Sequence, residues 1–116
     1  MKIKINQNIF KIKTLLDKKS HAKGMMKKKF DENFEGLLFI MDDYDEQCFW
    51  MKNCIIPLDI IMIENNIISK INHNCPPCDE DECESYCGFG NLVLELEGGT
   101  CENLDIKEGD TIEFIF

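Results

Sequence analysis

No apolar stretch in this chain outlasts a single β-strand. The longest are Leu37–Met41 and Ile60–Ile63, and Asn, Gly, Pro or acidic clusters interrupt the sequence every few residues. A bilayer-spanning helix needs roughly 18 consecutive apolar residues, so no such span is present. Short apolar runs closed by turn-forming residues read as strands. The 116 residues allow one domain, residues 1–116. Disorder is excluded because 44% of the chain is apolar, including 16 isoleucines and eight phenylalanines that build a core.

The punctuation predicts the elements. Strands over residues 2–5 and 9–16 flank a turn at Asn6-Gln7-Asn8. Asp17 caps a short helix through Lys18–Lys23, and Gly24 ends it. Further strands cover 36–41, 48–52, 58–64, 67–72, 92–97 and 111–116. The spacing predicts an acidic turn at Asp42–Glu46, a hairpin turn at Asn65-Asn66, and one helical turn near Cys101–Leu104. Residues 73–90 read as a long loop rich in Cys, Pro and Gly. About eight short strands with frequent turns predict a mostly β fold: a single compact antiparallel β-barrel or sandwich, jelly-roll-like, with one or two short helices.

The charge is divided unevenly. All 13 basic residues are lysine, and the net charge is −9. Residues 1–29 carry +9 and residues 30–116 carry −18. A basic arm of this kind can serve nucleic acid, but base readout and bidentate phosphate clamps favour the guanidinium fork that this chain lacks. Lys2, Lys4, Lys11 and Lys13 alternate with Ile3, Ile5 and Ile12, the pattern of a wet strand face. Nucleic acid is therefore not an expected partner.

The run Phe49-Trp50-Met51-Lys52-Asn53-Cys54-Ile55-Ile56-Pro57-Leu58-Asp59-Ile60-Ile61 resembles the signature of the prokaryotic family called domain of unknown function 192. Three other pieces follow the same family pattern in order. They are Lys23-Gly24-Met25-Met26 with Phe30, Gly36-Leu37-Leu38-Phe39, and Val93-Leu94-Glu95-Leu96 through Gly99, Leu104 and Gly109-Asp110. Together they span about residues 9–116. The resemblance implies a compact barrel or sandwich of jelly-roll type with one or two helices, and it implies no reaction. Many cellular members carry an export leader. The leaderless, lysine-rich form is more similar to versions on tailed-phage genomes, which makes the cytoplasm the expected location.

Seven cysteines are the sharpest chemical feature. Four fall as Cys75-x2-Cys78-x4-Cys83-x3-Cys87, a spacing that suits a tetrahedral zinc site ordering the loop. The same thiols can instead form disulfides, and Cys75 with Cys78 can act as a redox pair. His73 is placed to replace one ligand. Cys48, Cys54 and Cys101 read as buried free thiols. A second candidate site is a cleft between Trp50 and Asp59. Trp50 would be a platform and Lys52, Asn53 and Asp59 polar contacts. Alternatively, Asn53 and Asp59 bond to backbone around Pro57.

No G-x-S-x-G, H-E-x-x-H, Walker loop or G-x-G-x-x-G before a helix occurs. The expectation is a small non-catalytic binding or accessory protein, monomeric and cytoplasmic, with a zinc-bound or disulfide-stapled loop and a protein or small-molecule partner. The alternatives are a small-ligand or carbohydrate binder using the Trp50–Asp59 cleft, and a thiol redox enzyme working through Cys75 and Cys78.

Overall fold

The lysine–isoleucine alternation at the start of the chain builds a hairpin. In the computed structural model, which describes residues 1–116, β1 (Lys2–Ile5) pairs antiparallel with β2 (Asn8–Leu15), setting Ile3 opposite Phe10. Ile3, Ile5, Phe10 and Ile12 are buried, and Lys2, Lys11 and Lys13 are exposed on the other face. Helix α1 (Lys18–Lys23) follows. The Asp17 carboxylate accepts from the Ser20 N–H at 2.7 Å, and Gly24 closes the helix at φ 42. The chain continues through β3 (Gly36–Trp50), β4 (Leu58–Glu64), β5 (Ile67–Cys75), β6 (Ser85–Glu97), helix α2 (Thr100–Asn103) and β7 (Ile112–Ile115). Asn65 and Asn66 take φ 50 and 62, the left-handed pair that a two-residue hairpin turn requires.

The strands form one seven-stranded sheet in the order β5-β4-β6-β3-β2-β1-β7. The sheet curls into a half-barrel whose edges touch at one corner. There the Ile68 and Gly109 N–H groups donate to the Asp110 and Ile68 carbonyls, and the Ile112 N–H donates to the Asn66 carbonyl. The fold is mostly β with two short helices, as expected.

Three details differ from expectation. The β2–β3 pair is parallel, because residues 16–35, with α1, form the long crossover that parallel neighbours need. The acidic turn is absent. Asp42–Glu46 instead belongs to β3, whose register against β6 slips between Ile40 and Asp45, and Gln47 bridges the irregularity by donating to the Asp43 and Gly90 carbonyls. Seven strands therefore replace eight. The cysteine loop is also shorter, spanning 76–84, because β5 runs on to Cys75 and β6 begins at Ser85.

Side-chain alternation along the central strands separates two apolar cores. Leu38, Ile61, Ile63, Leu94 and Leu96 face the inside of the half-barrel with Ile3, Ile5 and Phe10, and α2 adds Cys101. Leu37, Phe39, Leu58, Ile60, Met62 and Val93 face outward beneath Met25, Met51 and Cys75. Burying each such side chain stabilises the fold by about 1.5–3 kcal/mol. The outer core is roofed by irregular segments rather than a second sheet, and this is where the cavity lies.

Candidate functional site

The roof over the outer core leaves a gap. Between α1 with its following Gly24–Met26 segment, and the end of β3 running on to Cys54, lies a cavity of about 300 Å³. Its deep residues are Met25, Phe39 and Glu95, all buried. Phe49 and Met41 form partly buried walls, with Phe39 and Phe49 meeting edge to face at 4.8 Å. Lys18, Lys23 and Trp50 are exposed around the mouth, with His21 and Lys52 half-buried below them.

Glu95 is the unusual residue. It shares the outer face of β6 with Val93 and sits between Leu37 of β3 and Ile60 of β4. It is 3% exposed, and its Oε1 has no hydrogen-bond partner. Removal from water disfavours the charged form and pushes this carboxyl up to about 8.

The side chains at the mouth are held from several directions. The close acid–base contacts are His73–Glu102 and Lys107–Asp105, so Lys18, Lys23 and Lys52 have no carboxylate within 4 Å, although Lys18 also borders the acidic surface of Asp42, Asp43, Asp45 and Glu46. The Lys52 ammonium donates to the Glu80 carbonyl in the cysteine loop. That loop is tied to the same segment by the Cys78 N–H to the Met51 carbonyl at 3.1 Å and the Asn53 N–H to the Cys78 carbonyl at 2.9 Å. His21 Nε2 lies 2.8 Å from the Leu15 carbonyl, which can only accept, so Nε2 carries the proton.

The two ends of the expected Trp50–Asp59 cleft are separated. Trp50 and Lys52 line the cavity. Asn53 is exposed at φ 60, where its carbonyl accepts from the Lys27 N–H at 2.9 Å; it shapes a turn beside the cavity. Asp59 points to the opposite face of β4. It is fully buried and accepts backbone N–H bonds from Asn74 at 2.7 Å, Gly99 at 3.1 Å and Cys101 at 2.8 Å, which fastens α2 to the sheet. Alternation along β4 puts Asp59 and Ile60 on opposite faces, so Asp59 cannot reach Trp50's pocket.

The cysteine cluster is divided as well. Cys78 bonds to Cys83 within the loop, and Cys87 bonds to Cys48, its cross-strand partner in the β3–β6 register. Cys75 is free and buried in the outer core. The tetrahedral set Cys75, Cys78, Cys83, Cys87 therefore does not converge, and no group of three or more His, Cys, Asp or Glu side chains is placed to hold a metal ion. Cys48 is disulfide-bonded rather than a buried free thiol, whereas Cys54 and Cys101 are free. A Cys75–Cys78 redox pair is not formed. Burial pushes the Cys75 thiol up to about 12 and the Cys54 thiol to about 11, and both leave the thiolate scarce at neutral pH. The two disulfides also bear on the expected cytoplasmic location, because such bonds persist in oxidising compartments. No helix is long and apolar enough to cross a membrane.

Sequence reasoning did not single out Glu95, Phe39, His21, Lys18 or Lys23 as site residues. A signal for Glu95 was present: one acid inside the apolar run Leu92-Val93-Leu94-Glu95-Leu96, on a strand apolar on both faces. The four segments that carry the family resemblance meet at this cavity. Gly24, Met25 and Met26 come from the first, Phe39 from the second, Phe49, Trp50, Lys52 and Cys54 from the third, and Glu95 from the fourth.

The fold and this cavity define a small β half-barrel with a carboxyl-floored pocket on its outer face. The family model DUF192, described as uncharacterized ACR, matches residues 1–114, and the chain belongs to that family. It is similar to the crystal structure of a protein of unknown function from Novosphingobium aromaticivorans, with a TM-score of 0.84 and 29% identity over 97% of this chain and 84% of the other. A protein from Sinorhizobium meliloti, described as a candidate transcription regulator, shares the fold at a TM-score of 0.84 and 24% identity, over 97% and 91% of the two chains. A search of curated proteins finds no match.

Proposed function

We propose that the chain is a small-molecule binding protein whose outer-face pocket takes an organic anion with an apolar body. The observation that carries this reading is the placement of three lysines, none with a carboxylate within 4 Å, around an apolar cavity in a chain whose net charge is −9. The N-terminal lysine surplus thus has a local use beyond wetting a strand, since α1 brings Lys18 and Lys23 to the pocket mouth. A cavity of about 300 Å³ suits a small ligand, with Trp50 as an amphipathic edge. The Cys78–Cys83 bond staples the loop whose Glu80 carbonyl holds Lys52 in place, so the disulfide supports the site without joining any chemistry. The raised thiols argue for binding rather than thiol catalysis, and the two disulfides favour an oxidising working compartment.

The test is thermal-shift and NMR titration against a panel of aliphatic and aromatic carboxylates, sulfonates and phosphate monoesters. Saturable binding by one class, weakened in Lys52→Met and Trp50→Ala, supports the reading. A panel without saturable binders, or binding indifferent to both substitutions, rejects it.

A further inference from the structure

A carboxyl at the bottom of an apolar cavity is expensive to leave unpartnered, and Glu95 Oε1 is unpartnered. Asp59, the other buried carboxylate, receives three backbone N–H groups, so this fold is able to satisfy such a group where the frame requires it. Around Glu95 the side chains Phe39, Met25 and Phe49 carry no donor, the weakly donating thiols of Cys54 and Cys75 make no hydrogen bond to Oε1, and Lys18 and Lys23 are exposed at the rim. The pocket is thus electrically two-ended, with an acceptor at the buried floor and lysine ammonium groups at the mouth.

We infer that the occupant is a zwitterion with separated charges: an ammonium group that enters to meet Glu95, an apolar spacer, and an anionic end that stays among the lysines. This deepens the proposed function and rests on it. A purely cationic amine must pass the lysines with nothing to pair with them, and a purely anionic ligand leaves the floor unsatisfied. An α-amino acid with a neutral side chain carries both charged groups on one carbon and cannot serve floor and mouth together. Those constraints select ω-amino acids and their aromatic counterparts. Binding transfers one proton: free Glu95 holds it at neutral pH, and pairing with an ammonium expels it to solvent. The nearby thiols of Cys54 and Cys75 are raised and stay protonated, and His21, Lys18, Lys23 and Lys52 also line the cavity, so the Glu95→Gln variant assigns the released proton.

The experiment compares ε-aminohexanoate with hexanoate, and aminomethylbenzoate with methylbenzoate, by calorimetry on the oxidised chain. Buffers of different ionisation enthalpy report the proton. The amino compounds should bind at least about tenfold tighter than their amine-free partners, the scale of one charge-assisted hydrogen bond. About one proton should be released near pH 7. Both the preference and the proton should vanish in Glu95→Gln, with Glu95→Met as a second variant should the first fold poorly. Equal affinity for both members of each pair overturns this inference and leaves the anion pocket standing. Failure of both members to bind overturns this inference, and the pocket reading falls with it only when the sulfonates and phosphate monoesters of the panel fail as well.

Discussion

Asp59 and Glu95 are the two buried carboxylates of the molecule, and they sit back to back across the central sheet. Asp59 faces the inner core and holds three backbone N–H groups from β5, the turn before α2, and α2 itself. Glu95 faces the outer core with Oε1 bare. A buried acid that is fully hydrogen-bonded belongs to the frame, and its sequence neighbours Pro57 and Leu58 fit that role. A buried acid without partners contributes nothing to the frame and reduces its stability. The contrast separates the inner face, where polar groups are matched within the chain, from the outer face, where one is held unmatched beside an opening.

The largest test of this comparison is Asp59→Ala. Three N–H donors would lose their acceptor in a dry setting, so the unfolding free energy should fall by about 3 kcal/mol, seen as a lower urea midpoint at unchanged slope. A loss below about 1 kcal/mol would mean that Asp59 is not the frame's anchor and would break the comparison.

The pH profile tests Glu95 next. Its folded carboxyl holds a proton up to about 8, against 4.5 for the exposed group. Between those values the unfolded chain binds fewer protons, so stability should decline as pH rises from about 4.5 to 8, by on the order of a few kcal/mol. Glu95→Gln should remove that share of the decline and leave the protein more stable than wild type at pH 8. Identical profiles for the two proteins would show that Glu95 is solvated or paired.

Cys48→Ser with Cys87→Ser should cost about 2 kcal/mol in chemical unfolding, because the bond closes a loop of sequence separation 39 but joins strands already paired. Hydrogen exchange should show the loosening at Phe49 and Trp50, on the pocket side, with the inner core unchanged. Trp50→Ala should have the smallest effect on stability, within about 0.5 kcal/mol, since the ring is 50% exposed. A larger loss would make Trp50 part of the outer core rather than the rim of an opening.

The elements set by local chemistry were legible in the sequence. Asp17 and Gly24 bracket α1, and Asn65-Asn66 turns the β4–β5 hairpin, because caps and left-handed turns need particular residues at those positions. What depended on distant pairing was hidden. The acids at 42–46 look like a turn until β6 is laid beside them, and the Cys48–Cys87 bond follows from a register that no spacing rule contains. The four cysteines of the cluster are parted for the same reason: β5 draws Cys75 into the core and β6 draws Cys87 toward Cys48. For the site, the aromatic and lysine at 50 and 52 were recognisable, whereas Glu95 looked like one letter of a strand motif. Its significance lies in having no partner, which is a property of the folded surroundings.

The strand order carries a consequence for how the chain is made. Strand β6 is next to last along the chain, yet it lies in the middle of the sheet, between β4 and β3. As the polypeptide leaves the ribosome, the β1–β2 hairpin with β3 and the β4–β5 hairpin can each form, but apart from the short bridge between Lys52 and Cys78 no strand pairing joins them until β6 has emerged. Through that interval both halves present open edges and apolar faces to the surroundings, the condition under which nascent chains associate with one another or recruit a chaperone. Ribosome-stalled chains ending shortly before Ser85 should therefore be far more sticky than chains released after Glu97 has cleared the exit tunnel.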